Sequence, residues 1–185
     1  MSVRKTRLRN IVEKLLGDAK IKVPPVPVDC LIRSHGIVIA RKRFDDETSG
    51  LIYVDAKTNN VVVGLNVSHS KTRQRFTLAH ELGHFLLHKQ NGGGLHVDDR
   101  DFFIKFRDHH SSDGSDREER EANAFAAELL MPSSFLGRDA GKLQEGLSFS
   151  DETAVRELAS RYGVSIQALS FRLVNLGLID ATILG

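Results

Sequence analysis

Two histidines stand four residues apart in this chain, and a glutamate directly follows the first of them: His80-Glu81-Leu82-Gly83-His84. Side chains at positions i and i+4 lie on one face of an α-helix, about 5–6 Å apart at Cβ, so both imidazoles can bind one metal ion. Zinc is the metal expected for this spacing, with manganese as the alternative. Glu81 would lie beside the metal-bound water and could accept its proton. The motif therefore predicts the catalytic site of a metallopeptidase.

The residues around this motif have the pattern of a buried helix. Apolar side chains recur through residues 76–87 without a proline, and a glycine cluster follows at 92–94. This spacing predicts a helix over about residues 72–89, which would hold both histidines on a rigid element. A pair of purely structural histidines is the alternative interpretation, but it gives Glu81 no obvious task.

A catalytic zinc ion usually has three protein ligands and a water molecule, so the site needs one more ligand. Leu87 and Gln90 stand where the extended H-E-x-x-H-x-x-G-x-x-H motif has glycine and histidine, which excludes that subclass. His88 lies about 12 Å along the helix from His80, given a rise of 1.5 Å per residue. We therefore interpret His88 as a packing residue or as a neighbour of the ligands.

A better third ligand is predicted on a second helix, over residues 117–131, which Pro132 ends. Glu119, Ala122 and Asn123 share one face of this helix. An inward carboxylate needs a partner, and a metal ion would supply it. Asn123 could accept a hydrogen bond from the free ring N–H of a ligating histidine. Glu118, at the edge of this face, is the main rival of Glu119.

The composition describes an ordinary globular chain. It has 185 residues, of which 41% are hydrophobic and 27% charged, and this length suits one well-filled core. The formal net charge of +2 is too small to indicate nucleic-acid binding by the whole molecule. Cys30 is the only cysteine, which excludes an intramolecular disulfide and suits a reducing compartment. With neither a signal peptide nor a membrane-spanning run, the sequence predicts a cytoplasmic protein.

The remaining elements follow from hydrophobic periodicity. Three β-branched runs predict a three-stranded antiparallel sheet, at residues 37–40, 50–54 and 60–63. Four further helices are predicted, at residues 4–16, in a short stretch ending at 35–36, and at residues 151–162 and 165–175. Residues 91–117 have the composition of a loop, and a mobile-looking Gly/Ser segment follows residue 132.

The last two helices resemble a helix-turn-helix core, with the small Ala159 and a turn glycine, Gly163, four residues on. DNA binding through residues 155–175 is therefore an alternative to a helical pair that completes the core or docks a substrate protein. The segment has few positive charges for phosphates, and Arg172 falls where the pattern calls for an apolar residue. Four outward polar side chains could meet base edges: Gln167, Ser170, Arg172 and Asn175.

Three segments of the chain resemble the ImmA/IrrE family of metallo-endopeptidases. They are RQRFTLAHELGHFLLH at residues 73–88, EREANAFAAELLMP at 119–132, and the closing stretch at 158–177. The resemblance begins at about residue 36. It implies a zincin-like, gluzincin-type core with His80, His84 and Glu119 as zinc ligands and Glu81 as the general base. We expect an α+β peptidase domain over residues 1–140 and a helix-turn-helix-like extension over residues 141–185.

The resemblance also implies a substrate. Members of this family typically cleave a helix-turn-helix repressor of the Xre type, which releases genes of phage or mobile-element induction or of stress response. The expected substrate is therefore a cytoplasmic repressor, which could add to a sheet edge as an extra strand. Three side chains are candidates for stabilising the oxyanion, namely Tyr53, His69 and His88.

Two other functions remain open at this point. One is a DNA-binding regulator with a structural metal, and the other is a catalytically idle binding protein, for example in a toxin–antitoxin pair. The presence of Glu81 favours the peptidase, because a structural metal site needs no base and usually has no open coordination position.

Overall fold

The computed structural model describes residues 3–45, 47–55, 57–88, 96–98, 114–144 and 152–179. The chain divides into two compact units. One consists of Met1–Val26 with Ala127–Gly185, and the other of Pro27–Ala126. Within the described ranges, none of the helices is long and apolar enough to cross a membrane.

Helices and strands both contribute, which confirms the predicted α+β class. The strands are β1 (Val38–Lys42), β2 (Gly50–Val54), β3 (Val61–Asn66) and β4 (His96–Asp98). The helices are α1 (Val3–Asp18), α2 (Val28–Ser34), α3 (Lys71–His88), α4 (Gly114–Leu130), α5 (Ser133–Gln144), α6 (Glu152–Tyr162) and α7 (Ile166–Asn175).

The sheet of the Pro27–Ala126 unit is mixed, in the order β1-β3-β2-β4. β2 is antiparallel to β3, as predicted, but β1 is parallel to β3. The prediction of a wholly antiparallel three-stranded sheet is therefore wrong. β1 and β2 do run in opposite directions, and β3 lies between them because its side chains, including Val63 and Leu65, are buried along nearly its whole length. The fourth strand, β4, lies in the segment predicted to be a loop, where three residues are too few to show a period.

Helix α3 lies directly against β2. A Cβ atom added to Gly50 would be 2.3 Å from Thr77 Cγ2 and 3.0 Å from the carbonyl oxygen of Gly64, so only glycine fits at this point. The beginning of α3 is also attached to the residue before β2, because Arg73 Nη2 and Nε donate to the buried Ser49 Oγ at 2.8 and 3.1 Å. These contacts fix the helix that contains the H-E-x-x-H motif against the sheet.

The other unit contains α1, α5, α6 and α7. Tyr162 is fully buried, and its hydroxyl donates to Asp139 Oδ2 at 2.8 Å. The prediction of a mobile-looking segment after Pro132 is wrong, because residues 133–144 form α5. Its Phe135 and Leu136 are buried, and an apolar pair of this kind outweighs the unfavourable glycine and serine composition.

Glu128 joins three helices of this unit. Its Oε1 accepts hydrogen bonds from Ser133 N and Oγ at 2.9 and 2.8 Å, and Arg172 Nη2 donates to its Oε2. Arg172 Nε also donates to the carbonyl oxygen of Met131 at 3.2 Å. The prediction that Arg172 and Ser170 point outward is therefore wrong, because Arg172 is engaged by Glu128 and Ser170 is buried. An ion pair fills the position where the pattern calls for an apolar residue.

This ion pair should make stability depend on pH. Burial raises the pKa of the Glu128 carboxyl, but the charge of Arg172 and the hydrogen bonds from Ser133 outweigh it and hold the pKa below 4.5. A carboxyl whose pKa is lower in the folded than in the unfolded chain contributes stability above its unfolded pKa, and this contribution disappears as pH falls through the folded pKa. We expect the free energy of unfolding to decrease as the pH is lowered below 4.5. Glu128→Gln should make this decrease smaller.

Urea unfolding at a series of pH values measures this effect. Glu13→Gln, which changes an exposed carboxyl of α1, is the matched control and should retain the wild-type pH profile. Equal acid sensitivity in wild type and Glu128→Gln would contradict the role of this carboxylate.

Candidate metal centre and active site

His80 and His84 lie one turn apart on α3 and face the same point. Their Nε2 atoms are 2.9 Å apart, and their ring centroids are 4.5 Å apart. Both side chains are buried, with residue exposures of 0% and 7%. Two buried imidazoles with converging nitrogens are costly to hold together unless a proton or a cation lies between them.

Glu119 reaches the same point from α4. Its Oε1 is 3.1 Å from His84 Nε2, and its Oε2 is 3.4 Å from His80 Nε2. One ligand atom from each of these residues lies within 4.8 Å of the others, and in the part of the chain that the structure describes this is the group of His, Cys, Asp and Glu able to hold a metal. Ligand atoms bound tetrahedrally to zinc at about 2.0–2.1 Å would be about 3.3 Å apart. Two neutral nitrogens and one carboxylate at these separations fit a zinc ion.

Asn123, one turn after Glu119, lies behind His80. The distance from His80 Nδ1 to Asn123 Oδ1 is 3.0 Å. If Nε2 is the ligand atom of His80, the ring proton is on Nδ1 and is donated to the amide oxygen. This contact fixes both the tautomer and the orientation of the imidazole, as carboxylates and carbonyls commonly do for ligating histidines.

Asn123→Ala should therefore weaken metal binding without removing a ligand. We expect an affinity for zinc about 10- to 100-fold lower than that of wild type. Competition with a chromophoric chelator measures it, and Asn175→Ala, which removes an exposed amide from α7, is the matched control. An unchanged affinity would mean that the hydrogen bond does not orient His80.

Gly83 allows α3 and α4 to approach each other. A Cβ atom added there would be 3.1 Å from Phe125 Cδ1 and 3.2 and 3.3 Å from Ala122 Cα and O. Two of these three atoms belong to backbone, which cannot move aside easily. The sequence analysis missed this role, although a glycine inside a helix opposite an alanine-containing face is a signal of close packing.

Gly83→Ala should separate the two helices and disturb the ligands. Alanine alone would favour a helix by about 0.5–1 kcal/mol over glycine, but overpacking typically costs about 1–3 kcal/mol. We expect lower stability in urea and weaker zinc binding. Gly137→Ala is the matched control, because a Cβ at this α5 position meets nothing within 4 Å, and it should be neutral or stabilising. If both variants behave alike, the contact at Gly83 is not restrictive.

Glu81 is fully buried and lies against the first residue of β2. It directly follows His80, and its Oε1 would be 3.7 Å from a Cβ placed on Gly50. The backbone of β2 therefore passes next to the Glu81 carboxylate. Gly50 is the second position that the sequence analysis missed; a glycine that begins a strand is a weak signal of close backbone approach.

His88 lies one turn beyond His84, with ring centroids 5.7 Å apart. Its Nδ1 is 4.0 Å from Glu118 Oε1, and its Nε2 is 3.9 Å from Glu121 Oε2. Glu118, the rival ligand, thus lies near His88 and does not belong to the group of His80, His84 and Glu119.

The other two predicted oxyanion residues also lie outside that group. Tyr53 is half-buried in β2, opposite Val62 of β3. His69 precedes α3, where its backbone carbonyl accepts a hydrogen bond from Gln74 Nε2 at 2.7 Å.

Comparison with known proteins bears on the fold and the family of this chain. A Mycobacterium tuberculosis transcriptional regulator has a similar structure, with a TM-score of 0.62 and 17% sequence identity, over 91% of this chain and 46% of that one. At this identity the likeness shows the fold alone, and this chain spans about half the length of that regulator. No curated protein matches the sequence. The family model for the IrrE N-terminal-like domain, peptidase M78, matches residues 32–174, which include both site helices. Because this match covers most of the chain, the protein belongs to the IrrE N-terminal-like family of M78 peptidases.

Proposed function

We propose that the protein is a zinc-dependent endopeptidase that cleaves a cytoplasmic helix-turn-helix repressor of the Xre type and so relieves repression. The observation behind this proposal is the convergence of His80, His84 and Glu119 on one point, with the buried Glu81 directly after His80 in the sequence. Membership of the M78 family supports a metallopeptidase type of chemistry. The regulator of similar structure supports a link to transcriptional control.

His80, His84 and Glu119 would hold the metal, which we propose to be Zn²⁺, with Mn²⁺ as the alternative. Three protein ligands are typical of a catalytic rather than a structural zinc site, since they leave a position for water or substrate. A bound zinc ion polarises the scissile carbonyl and lowers the pKa of water toward about 7. Asn123 would keep the Nδ1 proton of His80 in place, so that Nε2 remains the ligand atom.

Glu81 would act as the general base. It would accept a proton from the attacking water and deliver this proton to the amine that leaves. The side chain is fully buried and its Oε1 lies near Gly50, which keeps the carboxylate away from bulk solvent. For the oxyanion we retain Tyr53, His69 and His88 as candidates, of which His88 is next to His84.

The DNA-binding alternative loses its central residue. Arg172 donates to Glu128 and to a backbone carbonyl, so it would have to leave a buried ion pair to meet a base edge. Of the four side chains predicted to face outward, Gln167 and Asn175 are exposed. We therefore propose that α6 and α7 serve mainly to complete the core of their unit.

Incubation with candidate substrates tests the proposed function. The zinc-loaded protein is mixed with each purified Xre-type repressor from its own organism, and the fragments are mapped by mass spectrometry. We expect one repressor to be cut at one or a few defined bonds, and the cut to disappear when zinc is removed with a chelator. A fully zinc-loaded protein that cuts none of them would contradict this substrate.

A further inference from the structure

Strand β4 pairs with the edge of β2 that faces away from β3. The register is antiparallel, with Gly50 opposite Asp98, Leu51 opposite Val97 and Ile52 opposite His96. On the other edge of β2, all of its residues pair with β3. Among the described residues, β4 thus covers the first three residues of β2.

The part of β2 that β4 covers is the part beside Glu81. Gly50, the first residue of the pairing, is the position whose Cβ would be 3.7 Å from Glu81 Oε1. Any extended chain that pairs with β2 at Gly50 therefore runs next to the carboxylate that we propose as the general base. His80, a proposed metal ligand, directly precedes that carboxylate.

We infer that β4 occupies the strand position in which an extended polypeptide substrate pairs with β2, so that the protein blocks its own substrate-binding edge. This inference rests on the proposed peptidase function. An exposed strand edge presents backbone N–H and C=O groups that accept any extended chain, because the ladder uses no side chains. β4 is thus an internal competitor of the substrate.

A substrate segment can displace β4 only if it is itself extended. Its backbone N–H and C=O groups would then pair with the edge of β2 that β4 otherwise occupies. A folded segment, whose backbone groups are already paired, would not replace β4. The site would therefore be open only to segments that can become extended.

Hydrogen exchange tests whether β4 protects this edge. Successive amides of a strand point to opposite edges, so Val97→Pro with Asp98→Pro must remove the amide that faces β2. In this double variant we expect one or more amides of residues 50–52 to exchange at least about tenfold faster. Val97→Ala with Asp98→Ala retains both backbone amides and is the matched control, expected to keep protection. Unchanged exchange in the proline variant would overturn the inference.

Binding of an unfolded chain tests whether the edge is a substrate site. The probe is fluorescein-labelled, carboxymethylated α-lactalbumin, and its anisotropy is followed with zinc-loaded proteins in a Glu81→Gln background, in which the proposed base is absent. We expect the variant with prolines at residues 97 and 98 to bind the probe at least about tenfold more tightly than the Glu81→Gln protein does. The variant with alanines at these positions should bind the probe no more tightly. Equal affinity in all three proteins would overturn the inference.

The same variants separate this inference from the proposed function. If the prolines tighten binding but the corresponding protein with Glu81 intact cuts neither the probe nor any of the repressors, β2 is a peptide-binding edge and the proposed peptidase chemistry is wrong. If the protein with Glu81 intact cuts the probe and the prolines change neither binding nor rate, the peptidase function stands and the occupation of the edge by β4 is refuted.

Discussion

Replacing Glu81 with glutamine should lower the rate of peptide cleavage by about 10²- to 10⁴-fold, the range that a positioned general base typically contributes. Glutamine has nearly the same shape as glutamate, so it should fit beside Gly50 and Thr77 without leaving a cavity. It cannot accept a proton from water, and the side chain is not among the three proposed ligands. We therefore expect kcat to fall while KM and zinc content remain close to wild type.

Steady-state kinetics with the identified substrate, together with zinc analysis of the same samples, measures both parts of this expectation. Glu47→Gln, which neutralises an exposed carboxylate before β2, is the matched control and should keep full activity. Cleavage that persists within about tenfold of wild type in Glu81→Gln would mean that another group takes the proton. If Glu81→Gln also loses zinc, Glu81 contributes to metal binding, and the lower activity cannot be assigned to the loss of a general base.

Removing either a histidine ligand or the carboxylate ligand should nearly eliminate metal binding. We expect about one zinc per wild-type chain, and an affinity lower by more than about 100-fold in His84→Ala and in Glu119→Ala, which exceeds the effect expected for Asn123→Ala. Each substitution leaves two protein donors, where a catalytic zinc site usually has three and a water molecule. Inductively coupled plasma mass spectrometry and chelator competition measure content and affinity, with His35→Ala as the control.

The rival ligand gives this experiment a second outcome. Glu118 lies by His88, at 4.0 Å, whereas Glu119 lies within 3.4 Å of both proposed histidine ligands. Glu118→Ala should therefore retain most of the zinc affinity. If Glu118→Ala loses zinc and Glu119→Ala keeps it, the third ligand has been assigned to the wrong carboxylate. A wild-type protein that takes up no zinc when zinc is supplied would refute the site altogether.

The sequence was most informative where chemistry depends on one helical period. The four-residue spacing of His80 and His84 determines their common face, and the same rule brings Glu119 and Asn123 to one side of α4. A helix keeps this geometry whatever surrounds it. Residue types and spacing therefore pointed to His80, His84 and Asn123 and narrowed the third ligand to Glu119 or its rival Glu118, and the structure brings Glu119 to the two histidines.

Features that depend on distant partners could not be read in the same way. The pairing of β1 with β3 is decided by which strand is buried at the centre of the sheet, and β4 is too short to have a period. Arg172 turns inward because it pairs with the buried Glu128, 44 residues earlier in the chain. Gly50 and Gly83 matter because atoms of another element lie 2.3 to 3.3 Å from where a Cβ would stand, and the sequence gives only a weak signal of such an approach.

Substrate binding along the edge of β2 would make the choice of the cleaved bond depend on the local stability of the substrate. If the edge of β2 binds substrate, as we infer, it does so through backbone groups, and the bound segment must be released from its own hydrogen bonds. A folded repressor exposes such a segment only during local opening, so its rate of cleavage would follow the equilibrium population of the opened form. Repressors with the same target sequence but different local stability would then be degraded at different rates by an unaltered enzyme.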